Sequence, residues 1–418
     1  TLNPGDQSNK DKKYDVTYYE NEMNLKLCEL NISNFYPNPI TAGTGSVLTI
    51  EGIGFGNTRG TGRVWFADAD TGGFAFIKYL DYIDYVSWKD NEIKVIVPSH
   101  VDTLYAPDKS ATAGSGQIRV EANNGQFKYS NDALYVTYSI LNVKIGTPPK
   151  QKLRIDLVDP NPTDQDSGYV FLVDTSISNH PPIQMLVEQA MHDWACITGI
   201  RMKMGGNTTK NKSQPDGVSL IFMDTSQHGK GFLGQTAHWS FGICLDQVTG
   251  DSVVVAKEID IAFAVDIADK GKLWKIDTTF YFQDIKANEK DLYEVVQHEL
   301  GHAHSLDHVE DYDELMYFAA KNGPLSPPQR RMIFYSPPAQ DGAKDVMNRS
   351  EMLSPGSACN SLTMLPLFPA FSVCGPTAVQ ELISKWNTIL IYPNPVSQEY
   401  ISLEYSLYRS ANVLFGIY

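Results

Sequence analysis

Nowhere in its 418 residues does this chain hold eighteen consecutive apolar residues, which excludes a membrane-spanning helix. Basic residues are in the minority. With 34 Lys and Arg against 49 Asp and Glu, the formal net charge of −15 argues against a nucleic-acid partner. A basic-then-apolar leader is missing at Thr1, so the expectation is either a cytoplasmic chain or a processed or truncated secreted form. The 5 cysteines are few and odd in number. Cys359 with Cys374 and Cys196 with Cys244 could each bridge, leaving Cys28 over, and spacing alone does not decide the pairing. What is plentiful is β-forming: the 22 Tyr, an aromatic share of 11% and many Gly, Asn and Thr suit an extracellular β-rich protein. The length predicts two or three domains, each large enough for its own core.

Histidine is scarce too, 9 in all, yet four fall in residues 298–308, which read His-Glu-Leu-Gly-His-Ala-His-Ser-Leu-Asp-His. On a helix, positions four apart leave one face, so His298 and His302 can share a metal ion. His308 supplies a third nitrogen once the chain turns back. Three nitrogens and one open position describe a catalytic zinc centre rather than a structural one. Glu299 stands beside the first ligand and cannot bind in that geometry; it can take the proton of a metal-activated water. The offset of His304 points it off the ligand face, to a second layer or the surface. The bland alternative is a solvated, His-rich helix end.

Eight residues after His308 comes Met316, inside Leu315-Met316-Tyr317. With it, the stretch resembles the metzincins, and among them the matrixin-like metallopeptidases, whose pattern is H-E-x-x-H-x-x-G-x-x-H followed by a methionine turn. The resemblance implies His298, His302 and His308 as zinc ligands, Glu299 as general base and Met316 as an apolar floor under the metal. Two positions depart from it. Ser305 stands where the family has a left-handed glycine, a change costing about 1 kcal/mol, and Phe318 where a proline often follows. Met347, in Asp345-Val346-Met347-Asn348, is a competing methionine turn, reached through a segment containing Pro324, Pro327, Pro328, Pro337 and Pro338. The resemblance further implies a substrate-binding edge strand around residues 232–238. It also implies a second, structural zinc, for which His228 and His238 are present. The partner aspartate is missing among Gly229, Lys230 and Gly231, and Ala262 takes the place of a third histidine. Calcium has candidate loops at Asp159, Asn161, Asp164 and Asp166, and at Glu310, Asp311 and Asp313, against the commoner reading as solvated acidic turns.

The expected architecture is multidomain: an N-terminal all-β immunoglobulin-like sandwich, a central α+β metzincin-type domain and a C-terminal β segment. Residues 1–27 are a polar lead-in. Residues 28–140 alternate short apolar runs with Gly-, Asn- and Asp-rich turns, the pattern of an antiparallel sandwich. Through Phe35-Tyr36-Pro37, Val47 to Gly56, Ile93 to Pro98 and Gly116 to Gly125 they resemble the TIG module, a spacer or binding surface. The glycines at 52, 54 and 56 precede no helix pattern, which dismisses a nucleotide loop. Residues 141–385 bring an amphipathic helix with apolar Ile183, Leu186, Val187, Ala190, Met191 and Trp194, ended by Gly199. Strands at 218–222 and 258–263 and then the histidine helix follow. In residues 386–418, Ile391-Tyr392-Pro393-Asn394-Pro395-Val396 and the alternating run from Tyr400 to Leu407 resemble the start of a type IX C-terminal sorting domain. That implies secretion or cell-surface attachment, although Tyr36-Pro37-Asn38-Pro39 repeats the tetrapeptide as an ordinary turn.

The function expected from these features is a secreted zinc endopeptidase that hydrolyses protein or peptide substrates by metal-activated water with Glu299 as base. A surface adhesion or glycan-binding protein with a degenerate protease domain is the competitor. A latency role for the lead-in, through Cys28 or Asp6, is a third.

Overall fold

The computed structural model describes residues 29–77, 84–101, 110–145, 151–160, 168–227, 232–239, 242–265, 267, 271–278, 283–353, 387–392 and 402–407. Over these the chain is β-rich, as its composition suggested. Antiparallel strands Asn31–Tyr36, Val47–Ile53, Glu92–Ile96 and Tyr85–Lys89 form one layer of the N-terminal unit. Arg63–Asp68, Ser110–Glu121 and Phe127–Leu134 form the facing layer. Alternate residues of the two, among them Leu48, Ile50, Val64, Phe66, Ile93, Val95, Ile118 and Val120, fill the core between them.

A change of sequence texture marks Leu141, but strands from the two sides of it pair with one another. Ser99–Val101 pairs with Ser110–Glu121 on one side and with Asn142–Ile145 on the other. The same sheet continues through Gln151–Leu157 and Ser252–Ala256 to Gly242–Leu245, eight strands in all. A second suture is smaller. Val136–Ile140 lies between Ile40–Ala42 and Leu306–Asp307, the latter within the histidine motif.

The second unit is built on a five-stranded sheet in the order Met202–Thr208, Tyr169–Asp174, Leu220–Asp224, Glu258–Ala264, Gly234–Trp239. The first four are parallel; Gly234–Trp239 is antiparallel and lies at the edge, where residues 232–238 were expected. The amphipathic helix runs Pro181–Thr198, entered on two prolines that suit its first turn and stopped by Gly199 at φ 75°. Its predicted apolar face is buried, and Trp194 is fully enclosed. The histidine helix, Leu292–Ala303, starts where Asp291 accepts a bond from the Tyr293 amide. Trp194 Nε1 donates to the Gln297 carbonyl at 2.9 Å, and Tyr293 and Gln297 both donate to buried Asp193. Arg330 binds Asp291 and Asp277, and Arg331 binds Glu294 at 3.0 Å, clamping the first turn to the proline-rich segment.

A further long helix, Pro337–Glu351, was not expected, and Met347 lies buried within it rather than on a turn. Cys196 and Cys244 form a disulfide, one of the two expected bridges. Cys28, Cys359 and Cys374 lie outside the described residues. Strands Asn387–Tyr392 and Ser402–Leu407 pair antiparallel around the C-terminal Tyr-Pro-Asn-Pro segment. No described helix is long and apolar enough to cross a membrane.

Candidate metal centre

His298 and His302 occupy successive turns of the histidine helix, and His308 reaches them from the return strand. The ring centroids stand 4.7 Å apart for His298–His302, 4.9 Å for His302–His308 and 5.5 Å for His298–His308. One ligand atom from each lies within 4.8 Å of the other two. The turn between them depends on Ser305, at φ 62° the one non-glycine residue with positive φ among those described. Serine therefore adopts the conformation for which the family pattern has glycine.

The outward nitrogens explain the orientation. His298 Nδ1 sits 2.8 Å from the Leu315 carbonyl and His302 Nδ1 2.8 Å from the Leu306 carbonyl. Carbonyls only accept, so both Nδ1 atoms carry the proton and both Nε2 atoms present lone pairs. Those two Nε2 atoms face one another at 3.1 Å. With no proton between them the contact is repulsive, and a cation relieves it. Tetrahedral zinc with ligands at 2.0–2.1 Å holds neighbouring nitrogens about 3.3 Å apart. The residues present fit zinc. Burial, reinforced by His302 and His308, holds the imidazole of His298 well below the usual histidine range. Burial likewise lowers His302 to about 3. Neutral rings are what a metal requires. His308 differs. Burial would lower it, but the Asp70 carboxylate, 2.8 Å from Nδ1, reverses the sign and raises it.

Glu299 reaches toward the edge strand. The Thr236 hydroxyl lies 2.8 Å from Oε2 and 2.9 Å from the Glu299 carbonyl oxygen. A Cβ at residue 234 would stand 2.5 Å from Oε1, so Gly234 leaves the slot in which the carboxyl sits. Burial raises this carboxyl to about 7, with Thr236 and His308 pulling the other way. Met316 is buried and seats its sulfur on Gly301, where any Cβ would collide with it. Its carbonyl accepts from the Val309 amide at 3.0 Å, tying the methionine segment to the residue after His308.

His304 lies off the ligand face, as its offset implied, but the surface alternative is corrected. It is fully buried against Trp194 at 4.4 Å, bonded through Nδ1 to the Leu300 carbonyl and through Nε2 to Thr198. A histidine four residues after Leu300 on the apolar face was the sign of it. His238, buried on the edge strand, bonds the Ala303 carbonyl, and burial lowers it to about 4. It belongs to neither metal-competent group among the described residues, which are His298–His302–His308 and Asp70–Asp307–His308. His228, Asn161, Asp164 and Asp166 lie outside the described residues, and Asp313 is turned to Lys321 at 2.6 Å. Gly234, Thr236, Asp70 and Asp307 were not singled out from sequence. Neither established family models nor curated proteins match this chain.

Proposed function

We propose that the protein is a zinc-dependent endopeptidase acting on extended protein or peptide segments. The observation that carries this reading is the pair of proton-free Nε2 atoms at 3.1 Å, with His308 beside them and a buried carboxyl at the next residue. When bound, zinc supplies a Lewis acid that lowers the pKa of water from 15.7 to about 7. Glu299 takes the proton of the attacking water and returns it to the departing amine. A carboxyl held near neutrality by burial can do both. Thr236 keeps that carboxylate oriented, and Gly234 keeps its slot open. The edge strand Gly234–Trp239 has a strand partner on one side only among the described residues, so a substrate backbone can pair along the other. Secretion completes the reading, since the Cys196–Cys244 disulfide suits an oxidising compartment. The Tyr-Pro-Asn-Pro segment would then serve export or surface attachment.

The competing adhesion reading draws on one observation. Phe127 is 52% exposed, with Arg119 stacked on its ring and Tyr129 alongside. One set of measurements separates the two. Purified protein should carry one zinc per chain and cleave casein; a chelator should stop cleavage and added zinc restore it. Glu299→Ala should keep the zinc and lose cleavage. Cleavage that ignores the chelator, or wild-type rates from E299A, would sink the peptidase reading.

A further inference from the structure

We infer that the N-terminal sandwich is a working part of the metal centre, with Asp70 as the positioning residue that fixes the third histidine. This rests on the three-histidine reading above and adds to it that one ligand is set from outside the metallopeptidase-like unit. The three rings are held differently. His298 and His302 each give their outer proton to a neutral carbonyl of the same unit, from Leu315 and Leu306. His308 gives its own to a carboxylate 238 positions away, Asp70 Oδ1 at 2.8 Å.

Asp70 is placed with care. It lies on a single helical turn, Ala69–Thr71, closing the strand Arg63–Asp68, and its amide is held by the Asp68 carboxylate at 3.1 Å. The turn leaves through Gly72 and Gly73, both at positive φ, which sit against the segment that follows His308. A Cβ on Gly72 would collide with Phe318 and Tyr317, and one on Gly73 would stand 2.5 Å from Glu310 Oε1. The neighbour of His308 is gripped as well. Asp307 Oδ2 accepts from Ser99 at 2.8 Å and Thr112 at 2.6 Å, while its Oδ1 accepts the His308 amide at 2.9 Å. The backbone of Ser139 and Ile140 pairs with Asp307 and Leu306, and the Leu141 amide donates to the Ser305 carbonyl at 2.9 Å. The loop that delivers the third ligand is thus laid on the sandwich from Ser305 to His308. A carboxylate behind a ligating imidazole fixes its tautomer and strengthens it as a donor, and losing such a partner typically costs 10–100-fold in metal affinity.

Zinc affinity of the full chain, measured by competition with a chelating dye, reads this directly; the visible spectrum of the cobalt-substituted protein reports the ligand field. Asp70→Ala should bind zinc 10–100-fold more weakly and shift the cobalt bands. Asp70→Asn, which keeps an acceptor oxygen and loses the charge, should show the same changes to a smaller degree. Thr61→Ala, on a residue bonded to Asn123 instead of the ligand loop, should match wild type. Far-UV circular dichroism shows which variants are folded, and D70N decides if D70A is not. A folded D70A or D70N with wild-type affinity and spectrum, beside a His308→Ala variant that has lost zinc, overturns this inference and spares the metal site. A wild-type chain that binds no zinc, or an H308A variant that binds as well as wild type, removes the metal-site reading and this inference with it.

Discussion

Replacing Ser305 with glycine should make the protein more stable, an unusual outcome for a substitution three residues from a proposed metal ligand. Ser305 holds φ 62°, a conformation that costs an L-residue about 1–2 kcal/mol. Its side chain is fully buried and its hydroxyl has no hydrogen-bond partner, which adds about 1 kcal/mol of unreturned desolvation. Glycine removes both terms and gives back about 0.5–1 kcal/mol through the freer unfolded chain. The backbone anchors survive, because the 305 amide bonds the His302 carbonyl at 2.7 Å and the 305 carbonyl takes the Leu141 amide whatever the side chain. The net expectation for S305G is a gain of about 1–2 kcal/mol, and each kcal/mol raises Tm by roughly 2–4 °C in a unit of 150–250 residues. Differential scanning of the zinc-loaded protein measures it, with zinc content and casein cleavage expected within twofold of wild type. A lower Tm would refute the reasoning, since the hydroxyl would then be contributing more than the strained backbone costs.

Two other perturbations follow from single contacts. Gly234→Ala should leave zinc stoichiometry at one while displacing the Glu299 carboxyl, whose oxygen stands 2.5 Å from the added methyl position. A misplaced base of that size costs about 100-fold in kcat/KM, and unchanged peptide cleavage by a zinc-loaded G234A would contradict the assigned base. His100 is fully buried with neither ring nitrogen hydrogen-bonded, and burial, with Lys152 and Lys144 nearby, lowers it to about 2. Because its folded pKa lies below the unfolded value near 6.5, the contribution is whole above about pH 6.5 and shrinks on acidification, by about 1.4 kcal/mol per pH unit. His100→Leu should therefore gain on wild type by about 2 kcal/mol between pH 6.5 and pH 5 in urea titrations, whereas parallel pH curves would show that the imidazole takes up its proton equally in the folded and unfolded chains and refute the lowered pKa.

The parts of the centre that were legible in sequence are those set by local geometry. Helical spacing alone puts His298 and His302 on one face, and a short return suffices to bring His308 back. The buried stripe from Ile183 to Trp194 was equally readable, because a 3.6-residue period needs no knowledge of the neighbour it packs against. The surface alternative for His304 failed because its ligand geometry was considered and its apolar face was not. The segment from Tyr317 to Val346 defied pattern reading for a physical reason. Buried ion pairs of Arg330 and Arg331 hold much of it, and such pairs leave no periodic trace. Asp70 was invisible for a related cause: nothing in a run of Ala, Asp and Thr tells which distant loop will settle on it.

The eight-stranded sheet that takes strands from both sides of Leu141 has a practical and an evolutionary consequence. A gene truncated where the composition changes would yield a fragment in which Asn142–Ile145 has lost Ser99–Val101 on one side and Leu306–Asp307 has lost Val136–Ile140, offering raw backbone edges to other copies and inviting aggregation. The two halves are consequently poor candidates for shuffling. A lineage that exchanged either one would have to re-create matching seams on the other, so they should be inherited as a single block.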